Sequence, residues 1–418
     1  MYFMHFGVQA RINTDKSVER LPFMKYIKTF SSLRLKGVVA TIVIAAMLPA
    51  PAQETRKPAA HLEIDISGFY DSSHHWYDIQ DEDRIIVPEK DQKRYKPSEV
   101  LNIAENILLF QKSNGGWPKN YDMLAVLTLE QREAVQQAKE ELNTGFDNGA
   151  TYTQVEYLAR AFAVTSEKRY KEACLRGVRY ILSAQYPNGG WPQFFPDTSG
   201  YRKYITFNDG AMIGIMKTLK NIVEKEPRYA FIEEELRTKV GVALKRGIDC
   251  ILQSQIREKG MLTAWCQQHD NVDFSPREAR AYELPSISGQ EGAEVALFLM
   301  SVRNPTPGIV AAVETAVQWF RKSQITGIRI EEIKAPTEQF IYHTSSNDKV
   351  VVNDPNAPPI WARFYELGTG KPLFSDRKGK RLYSMAEVER ERRTGYGWYT
   401  YAPEKLVKQY PAWKRSLQ

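Results

Sequence analysis

The segment Asn106–Pro118, NILLFQKSNGGWP, decides the fold because the chain repeats it. Val178–Pro192 is VRYILSAQYPNGGWP, and weaker copies follow at Ile248–Leu262 and Val317–Ile330. In each copy an apolar stripe with helical spacing ends at a glutamine and a turn. The glutamines recur about every seventy residues, a period typical of stacked helical hairpins. They are Gln111, Gln185, Gln255 and Gln324.

A second motif recurs between these copies, with its carboxylate and its amide exchanged. Phe146–Ala150 is FDNGA, Phe207–Ala211 is FNDGA, and Ser288–Ala293, SGQEGA, is a more distant copy. Each motif leads into a helical pattern, so we expect its polar residues to act as N-caps.

The spacing of the two motifs also allows a metal site. Turns at one repeat interval would bring the carboxylates of Asp147 and Asp209 to the same rim, together with the amide of Asn148. Hard oxygen ligands of this kind suit calcium. Plain helix capping without a metal is the alternative interpretation.

Two helices in each repeat predict an all-α dominated fold, an incomplete α/α toroid of helical hairpins with a few short strands in long loops. Two long stretches, Thr263–Ser288 and Lys334–Lys380, look irregular. Their content of Trp, Tyr, Arg and His favours function over disorder. The strand candidates are Met261–Gln267, Gln339–His343 and Trp361–Tyr365.

The N-terminal residues 1–52 have the layout of a secretory signal peptide. A basic stretch precedes the apolar run Val38–Leu48, and Ala50-Pro51-Ala52 offers a cleavage site. An uncleaved N-terminal anchor is the alternative. We therefore expect an exported protein, periplasmic or secreted, with a polar lead-in at 53–90 and one catalytic domain at 91–418.

Charge and motifs exclude several classes of protein. The chain carries 57 basic and 50 acidic residues, a net charge of +7, and the predicted leader accounts for most of that excess. The remaining chain has no long basic run, so nucleic acid is not an expected partner. Three cysteines form no disulfide scaffold, and no HExxH, Ser-His-Asp, P-loop or dinucleotide-binding motif is present.

The two tryptophans of the NGGWP turns, Trp117 and Trp191, have two interpretations. Asn-Gly-Gly is first of all a turn sequence, after which the tryptophan would pack into the core. Alternatively, the two indole rings line a sugar-binding cleft.

Arginines in the irregular stretches are candidate binders of anions. Arg277 and Arg280 could clamp carboxylates bidentately, or form surface ion pairs with Glu278 and Glu283. Arg363 lies within an aromatic strand pattern, WARFY, and must either form a buried structural pair or point into a site.

Five separated segments resemble the pectate lyases of polysaccharide lyase family ten: QKSNGGWPKN, FDNGATYTQVEYLARAF, FNDGAM, ARAYELPSISGQEG and WARFYELGTGKPLF. The resemblance runs from about Tyr95 to Trp398, with the segments in the expected order. It implies an α/α toroid that cleaves polygalacturonate by calcium-dependent β-elimination and leaves 4,5-unsaturated oligogalacturonides.

The resemblance also implies roles for the two repeated turns. Asp147 and Asn148 correspond to the acid–amide pair of the active centre, where Asp147 is catalytic and Asn148 binds substrate and metal. Asp209 corresponds to a calcium-binding acid. The exchange of acid and amide suggests a division of labour, in which one turn positions substrate and the other holds calcium.

Four basic residues are matched to the family in the same way. Arg363 resembles the catalytic base, and Arg280 resembles a residue that binds the substrate carboxylate. Arg277 competes with Arg280 for that place. Lys349 is matched only by its distance from the WARFY motif, as a substrate contact. An arginine base implies an alkaline optimum, because free arginine titrates above about 12.

Three other functions fit an α/α fold. A terpene-cyclase-like toroid also carries GGW turns, but it needs a DxDD run that the chain lacks. A polyuronate-binding protein without activity would keep the cleft, and an unsaturated glucuronyl hydrolase would use two aspartates without calcium.

The expected partner is polygalacturonate or pectin. Neither nucleic acid nor, after signal cleavage, a membrane is an expected partner, and the expected state is a monomer.

Overall fold

The computed structural model describes residues 63–79 and 84–417. The predicted signal peptide lies outside these residues. The described residues belong to a compact unit that spans Ala59–Gln418. No helix among them is both long and apolar enough to cross a membrane.

Helices dominate this unit. They are α1 (Tyr70–Asp78), α2 (Val100–Phe110), α3 (Leu129–Gln137), α4 (Tyr152–Thr165), α5 (Lys168–Ser183), α6 (Ala211–Val223), α7 (Glu234–Ser254), α8 (Glu291–Met300), α9 (Pro307–Lys322), α10 (Arg390–Gly395) and α11 (Ala402–Arg415).

The helices form two layers that follow the sequence repeat. Helices α2, α5, α7 and α9 end at the repeated glutamines and contact one another in that order. Helices α4, α6 and α8 begin at the three copies of the second motif and form the other layer together with α11. Four helical hairpins stacked in this way make an incomplete α/α toroid, so the predicted fold class is confirmed.

One side chain is used in the same way in three of the four repeats. The Nε2 amide of Gln111 donates to the carbonyl of Gly115 in its own turn and to that of Ala173 in the next helix, both at 2.9 Å. Gln185 and Gln255 repeat this bridge, to Gly189 and Ala243 and to Thr263 and Ala312. Each glutamine therefore ties a turn to the neighbouring hairpin.

The tryptophans of the repeat are structural. Trp117 and Trp191 are 0 % exposed, and their indole N–H groups donate to Ile107 and Ile181 at 2.7 and 2.8 Å. The interpretation as cleft-lining residues is therefore wrong, because neither ring reaches solvent. Trp265 and Trp361 make the same bond to Ile251 and Phe320, at 2.8 Å each, and are the third and fourth copies.

The turns between glutamine and tryptophan approach the next helix closely. Gly189 has a φ of 94°, and a Cβ there would lie 2.1 Å from the carbonyl oxygen of Arg246 in α7. Gly115, with a φ of 92°, faces Arg176 of α5 in the same way. Glycine is required at both positions for conformation and for space.

Short strands occupy the loops, mostly as pairs of two or three residues. They are β1 (Ile205–Thr206), β2 (Arg257–Glu258), β3 (Met261–Leu262), β4 (Gln268–His269), β5 (Ser286–Ser288), β6 (Ile328–Gln339), β7 (Thr344–Asn353), β8 (Trp361–Ala362), β9 (Phe364–Glu366), β10 (Phe374–Ser375), β11 (Arg381–Leu382) and β12 (Tyr399–Thr400). The antiparallel pairs are β1–β4, β2–β3, β5–β9, β6–β7, β8–β12 and β10–β11.

The long hairpin β6–β7 is the main difference from the sequence prediction. Its strands lie in a region expected to be irregular, and the predicted strand Gln339–His343 is mostly its turn. Its residues are largely polar, with charged residues on both faces, and they are partly or fully exposed, so no apolar alternation marked them. Of Met261–Gln267 only the first two residues are extended, whereas Trp361–Tyr365 forms β8 and most of β9.

The hairpin is an insertion in the fourth repeat. Gln324 and Trp361 correspond to Gln111 and Trp117, and β6–β7 lies between them. Backbone hydrogen bonds of 2.8 and 2.9 Å between Ile325 and Ile360 close the base of the insertion.

Part of the predicted polar lead-in packs into the core. Trp76 of α1 is fully buried, and its indole donates to Ile86 at 2.8 Å. Ser72 donates to the carbonyl of Tyr121 at 2.9 Å. The compact unit therefore begins before residue 91.

The bridging glutamine can be tested with a matched pair in α7. Gln255 is buried, whereas Gln253 is exposed two residues earlier. We expect Gln255→Ala to lower the free energy of unfolding by about 2–3 kcal/mol, because two buried carbonyls lose their donor. Gln253→Ala is the control, with an expected change below about 0.5 kcal/mol. Urea unfolding measures both, and equal losses would contradict the bridging role.

Candidate active site

The two acid–amide turns lie against each other at the rim formed by the repeat turns. Each forms a single 3₁₀ turn, Asp147–Gly149 and Asn208–Gly210, whose middle residue has a φ of 49°. No side chain of either turn caps a helix, so the predicted capping role is wrong. The left-handed conformation, which Asn and Asp tolerate, leaves their side-chain oxygens available for other contacts.

Asp147 is held by residues from two repeats. Lys119 Nζ lies 3.1 Å from its Oδ2, and Gln193 Nε2 donates to its Oδ1 at 2.8 Å. Burial raises the pKa of Asp147, but Lys119 and the Gln193 hydrogen bond outweigh it and hold that pKa below its usual range. Asp147 is therefore a carboxylate at neutral pH.

Asp209 has the opposite electrostatic environment. Burial and the neighbouring charge of Asp147 raise its pKa to about 7, against the opposing effect of Arg363 and Arg280. The amide of Asn208 donates to its Oδ2 at 2.8 Å. Two carboxylates held this close together make a site that a cation would stabilise.

Asn148 completes the oxygen donors of this region. Its amide nitrogen donates to Asn120 Oδ1 at 2.8 Å, which leaves its own carbonyl oxygen for a cation. Among the described residues no cluster of three or more His, Cys, Asp or Glu side chains is present. Calcium also accepts amide and carbonyl oxygens, so Asp147, Asp209 and Asn148 fit that ion.

Arg363 is buried beside these turns. Its Nη2 donates to Glu291 Oε1 at 2.6 Å and to Asn208 Oδ1 at 3.0 Å, and its guanidinium lies 4.8 Å from the centre of the Tyr396 ring. Burial alone would lower the pKa of Arg363, but Glu291 and Tyr396 raise it above its ordinary value.

Arg280 reaches the same region from the arginine-rich loop. It forms a two-point ion pair with Glu283, whose Oε1 also accepts from Tyr396 at 2.8 Å. Its charge lowers the pKa of Asp209, so it acts on the paired turns. Burial alone would lower the pKa of Arg280, but Glu283 outweighs burial and raises that pKa well above its usual value.

Arg277 and Lys349 make their contacts elsewhere. Arg277 pairs with Asp270 at 3.0 Å and stacks near Tyr204. Lys349, on β7, donates to the carbonyl of Thr394 at 3.3 Å, two residues before Tyr396. The structure therefore brings together Asp147, Asn148, Asp209, Arg280 and Arg363, and it places Arg277 and Lys349 outside this group.

Sequence reasoning missed the residues that surround this group. Lys119 and Gln193 each lie two residues after a repeat tryptophan, as does Arg363 after Trp361 and Gln267 after Trp265. Alignment of all four tryptophans would have found these positions. Glu283 was considered only as a surface ion-pair partner of Arg280, and Glu291 only as part of the distant motif copy SGQEGA. Tyr396 carries no repeat signal, since it meets the arginines only through the tertiary fold.

Comparison with known proteins agrees with this arrangement. The family model described as pectic acid lyase matches residues 111–407. The chain belongs to the pectic acid lyase family. It is accordingly a polysaccharide lyase. No curated protein matches the chain.

Two solved structures are similar over most of their length. One is a mutant of a family 10 polysaccharide lyase from Cellvibrio cellulosa in complex with trigalaturonic acid. It is 30 % identical, with a TM-score of 0.64, and the match covers 76 % of this chain and 96 % of that one. The second is a structure of a family 10 polysaccharide lyase from Cellvibrio cellulosa, with the same identity and TM-score, and the match covers 76 % of this chain and 95 % of that one. The predicted family and fold are therefore confirmed.

The raised pKa of Asp209 gives a prediction about pH and metal. Folding raises the pKa of Asp209, so the metal-free protein is stabilised while this carboxyl is protonated. That stabilisation is fully present below about pH 4 and is lost as the pH rises through about 7. We expect Asp209→Asn to raise the metal-free Tm at about pH 9 but not at about pH 4. Calcium should raise the Tm of the wild type more than that of the variant.

The exposed Asp273 provides the control for this experiment, because its pKa is lowered by hydrogen bonds from Ser275. Asp273→Asn should give no gain at alkaline pH and should leave the calcium response intact. If Asp209→Asn changed the Tm equally at both pH values, the electrostatic argument would fail.

Proposed function

We propose that the protein cleaves polygalacturonate by calcium-dependent β-elimination. The observation that carries the proposal is the juxtaposition of two acid–amide turns with the guanidinium groups of Arg280 and Arg363. Cations facing an acidic site suit a substrate that is itself an anion, because a metal ion can join its carboxylate to those of the protein. The solved relative bound to trigalaturonic acid supports this substrate class.

The residues present match the needs of the elimination. The C5 proton of a galacturonate becomes more acidic as charge spreads onto its carboxylate, and cations at that carboxylate stabilise the charge as it grows. Asp209, Asn148 and Asp147 would hold calcium, which supplies such stabilisation when bound. Arg363, fixed by Glu291 and Asn208, adds a permanent positive charge beside the turns. The C4 oxygen then leaves, and no nucleophile is required.

Asp147 acts with Lys119 in this scheme. Because Lys119 and Gln193 keep the pKa of Asp147 low, its carboxylate stays charged and can orient a cation or a substrate hydroxyl. A proton-donating role, which a hydrolase with two aspartates would need, is disfavoured for this residue.

The base is an arginine, and solvent access separates the two candidates. Arg363 was expected from the sequence, but its side chain is 11 % exposed and bonded to acceptors on two elements. Arg280 is 44 % exposed. Both have raised pKa values beside a glutamate, so the pKa does not decide between them. A base must return its proton to solvent in every turnover, and we therefore propose Arg280 as the base and Arg363 as the carboxylate binder.

Export through a signal peptide and a monomeric state are proposed as well. The leader layout of residues 1–52 supports export, because a polymeric plant substrate must be met outside the cytoplasm.

The activity is tested directly with purified protein and polygalacturonate. We expect ultraviolet-absorbing unsaturated product with added calcium at about pH 9, and at least a tenfold lower rate with EDTA, since the paired carboxylates need a cation. Product formation that is insensitive to EDTA would remove calcium from the proposal. Binding of the polymer without any product would instead favour the non-catalytic alternative.

Lysine substitutions assign the base. Lysine titrates near 10.4 and arginine above 12, so at the base position Arg→Lys should move the rising limb of the kcat–pH profile, where the base loses its proton, to lower pH by about one unit or more. We expect this shift for Arg280→Lys. Arg363→Lys should lower kcat/KM about 10²-fold or more at every pH, because the lysine ammonium keeps the charge but not the fixed guanidinium geometry that stabilises the growing negative charge. The opposite pattern would return the base role to Arg363.

A further inference from the structure

The ring of Tyr282 lies between two arginines that are paired in the same way. Arg280 uses Nε and Nη2 to bind Glu283, and Arg377 uses Nε and Nη2 to bind Glu391. Their guanidinium carbons lie 5.0 and 5.7 Å from the centre of the Tyr282 ring. The arginine–glutamate pair of the active centre thus has a second copy on the other arginine that contacts the Tyr282 ring.

In both arginines the Nη1 edge is left for an outside acceptor. Within residues 63–79 and 84–417, the side-chain hydrogen bonds of Arg280 and Arg377 all use Nε and Nη2. The side chain of Arg377 is 31 % exposed. A carboxylate from solvent can therefore approach it without displacing Glu391.

The tip of the β6–β7 hairpin supplies an aromatic partner at this place. Tyr342 lies in the turn between the strands, is 39 % exposed, and its ring centre is 5.0 Å from the guanidinium of Arg377. His343 of the same turn bonds Thr394 Oγ1 at 3.0 Å, which holds the tip against α10. The hairpin is the insertion in the fourth repeat turn, so it belongs to the rim that carries the active centre.

The carboxylates near Arg377 do not neutralise all of the positive charge around it, so an added anion would be attracted there. Glu391 is shared, since it also pairs with Arg392, whose guanidinium lies 4.8 Å from the Tyr282 ring centre. Glu389 is occupied by the backbone N–H of Arg377. Burial raises the pKa of Glu391, but Arg392 and Arg377 lower it to about 2, so one carboxylate serves two guanidinium groups.

We propose that Arg377 and Tyr342 form an outer subsite for a uronate residue of a polyanionic chain. Arg377 Nη1 receives the uronate carboxylate, and the exposed ring of Tyr342 contacts the sugar. The inference rests on the proposed function, because a polygalacturonate carries one carboxylate on every residue. A chain whose reacting carboxylate lies at Arg280 and Arg363 can then offer another to Arg377.

Substrates of defined length test the subsite. For a long oligogalacturonide we expect Tyr342→Ala and Arg377→Gln to raise KM about 3- to 10-fold, the range of one partly exposed charged contact, with kcat unchanged. The dimer, whose two residues flank the scissile bond and leave no residue for an outer position, should keep its KM. A merely structural role would change both substrates alike, and that result would overturn the proposal.

Arg381 and Tyr383 offer a matched control. They are an exposed arginine and an exposed tyrosine that both bond Glu366, at 3.3 and 2.8 Å. Arg381→Gln and Tyr383→Ala should leave KM unchanged for every chain length. An effect on long chains equal to that of the subsite variants would show general loss of charge, and it would also overturn the proposal.

Electrophoresis through gels that contain polygalacturonate, with EDTA present, separates this inference from the proposed function. If the wild type is retarded in this gel but forms no product in the separate assay with calcium, the catalytic proposal fails and reduced retardation of Tyr342→Ala still supports the subsite. If the wild type forms product and Tyr342→Ala is retarded equally, the subsite fails alone. If the polymer does not retard the wild type, the subsite is refuted as well.

Discussion

The fold depends on a side-chain amide that bridges two backbone carbonyls. In three repeats the glutamine at the end of a helix joins its own turn to the next hairpin, and the following tryptophan is locked by its indole N–H. Because these contacts fix the turn, the residue two places after the tryptophan is delivered to the rim. Lys119 and Gln193 reach the site in this way. Arg363 belongs to the fourth repeat, where, within the described residues, the indole bond of Trp361 to Phe320 remains without the glutamine bridge.

The rigid scaffold allows the rim to hold charges that disfavour one another. Asp147 raises the pKa of Asp209, and Glu291 keeps Arg363 charged although its guanidinium is buried. Such unfavourable placements persist only where the surrounding packing determines them. Here the determining contacts are the buried glutamines and tryptophans, which lie one layer below the charges and take no part in the chemistry.

The sequence predicted the repeated motifs but not every contact made around them. The seventy-residue period gave the toroid, and the two acid–amide motifs gave Asp147, Asn148 and Asp209. Trp117 and Trp191 kept two interpretations, core packing or a sugar-binding cleft, because a turn sequence does not reveal which way its indole points. The long hairpin was hidden because its strands are charged on both faces, and it stretches the fourth repeat so that Trp361 falls far from Gln324.

The exchange of acid and amide between the two turns has a physical reason. It lies in the contacts made by the first residue of each turn, Asp147 or Asn208. Asp147 faces Lys119 and Gln193, two donors that a carboxylate satisfies. Its counterpart Asn208 faces Arg363, which already has Glu291 as a carboxylate partner. An aspartate at position 208 would give Arg363 a second carboxylate and weaken its attraction for an outside anion. The amide fixes the guanidinium without neutralising it, and the remaining carboxylate of that turn, Asp209, is left to face Asp147.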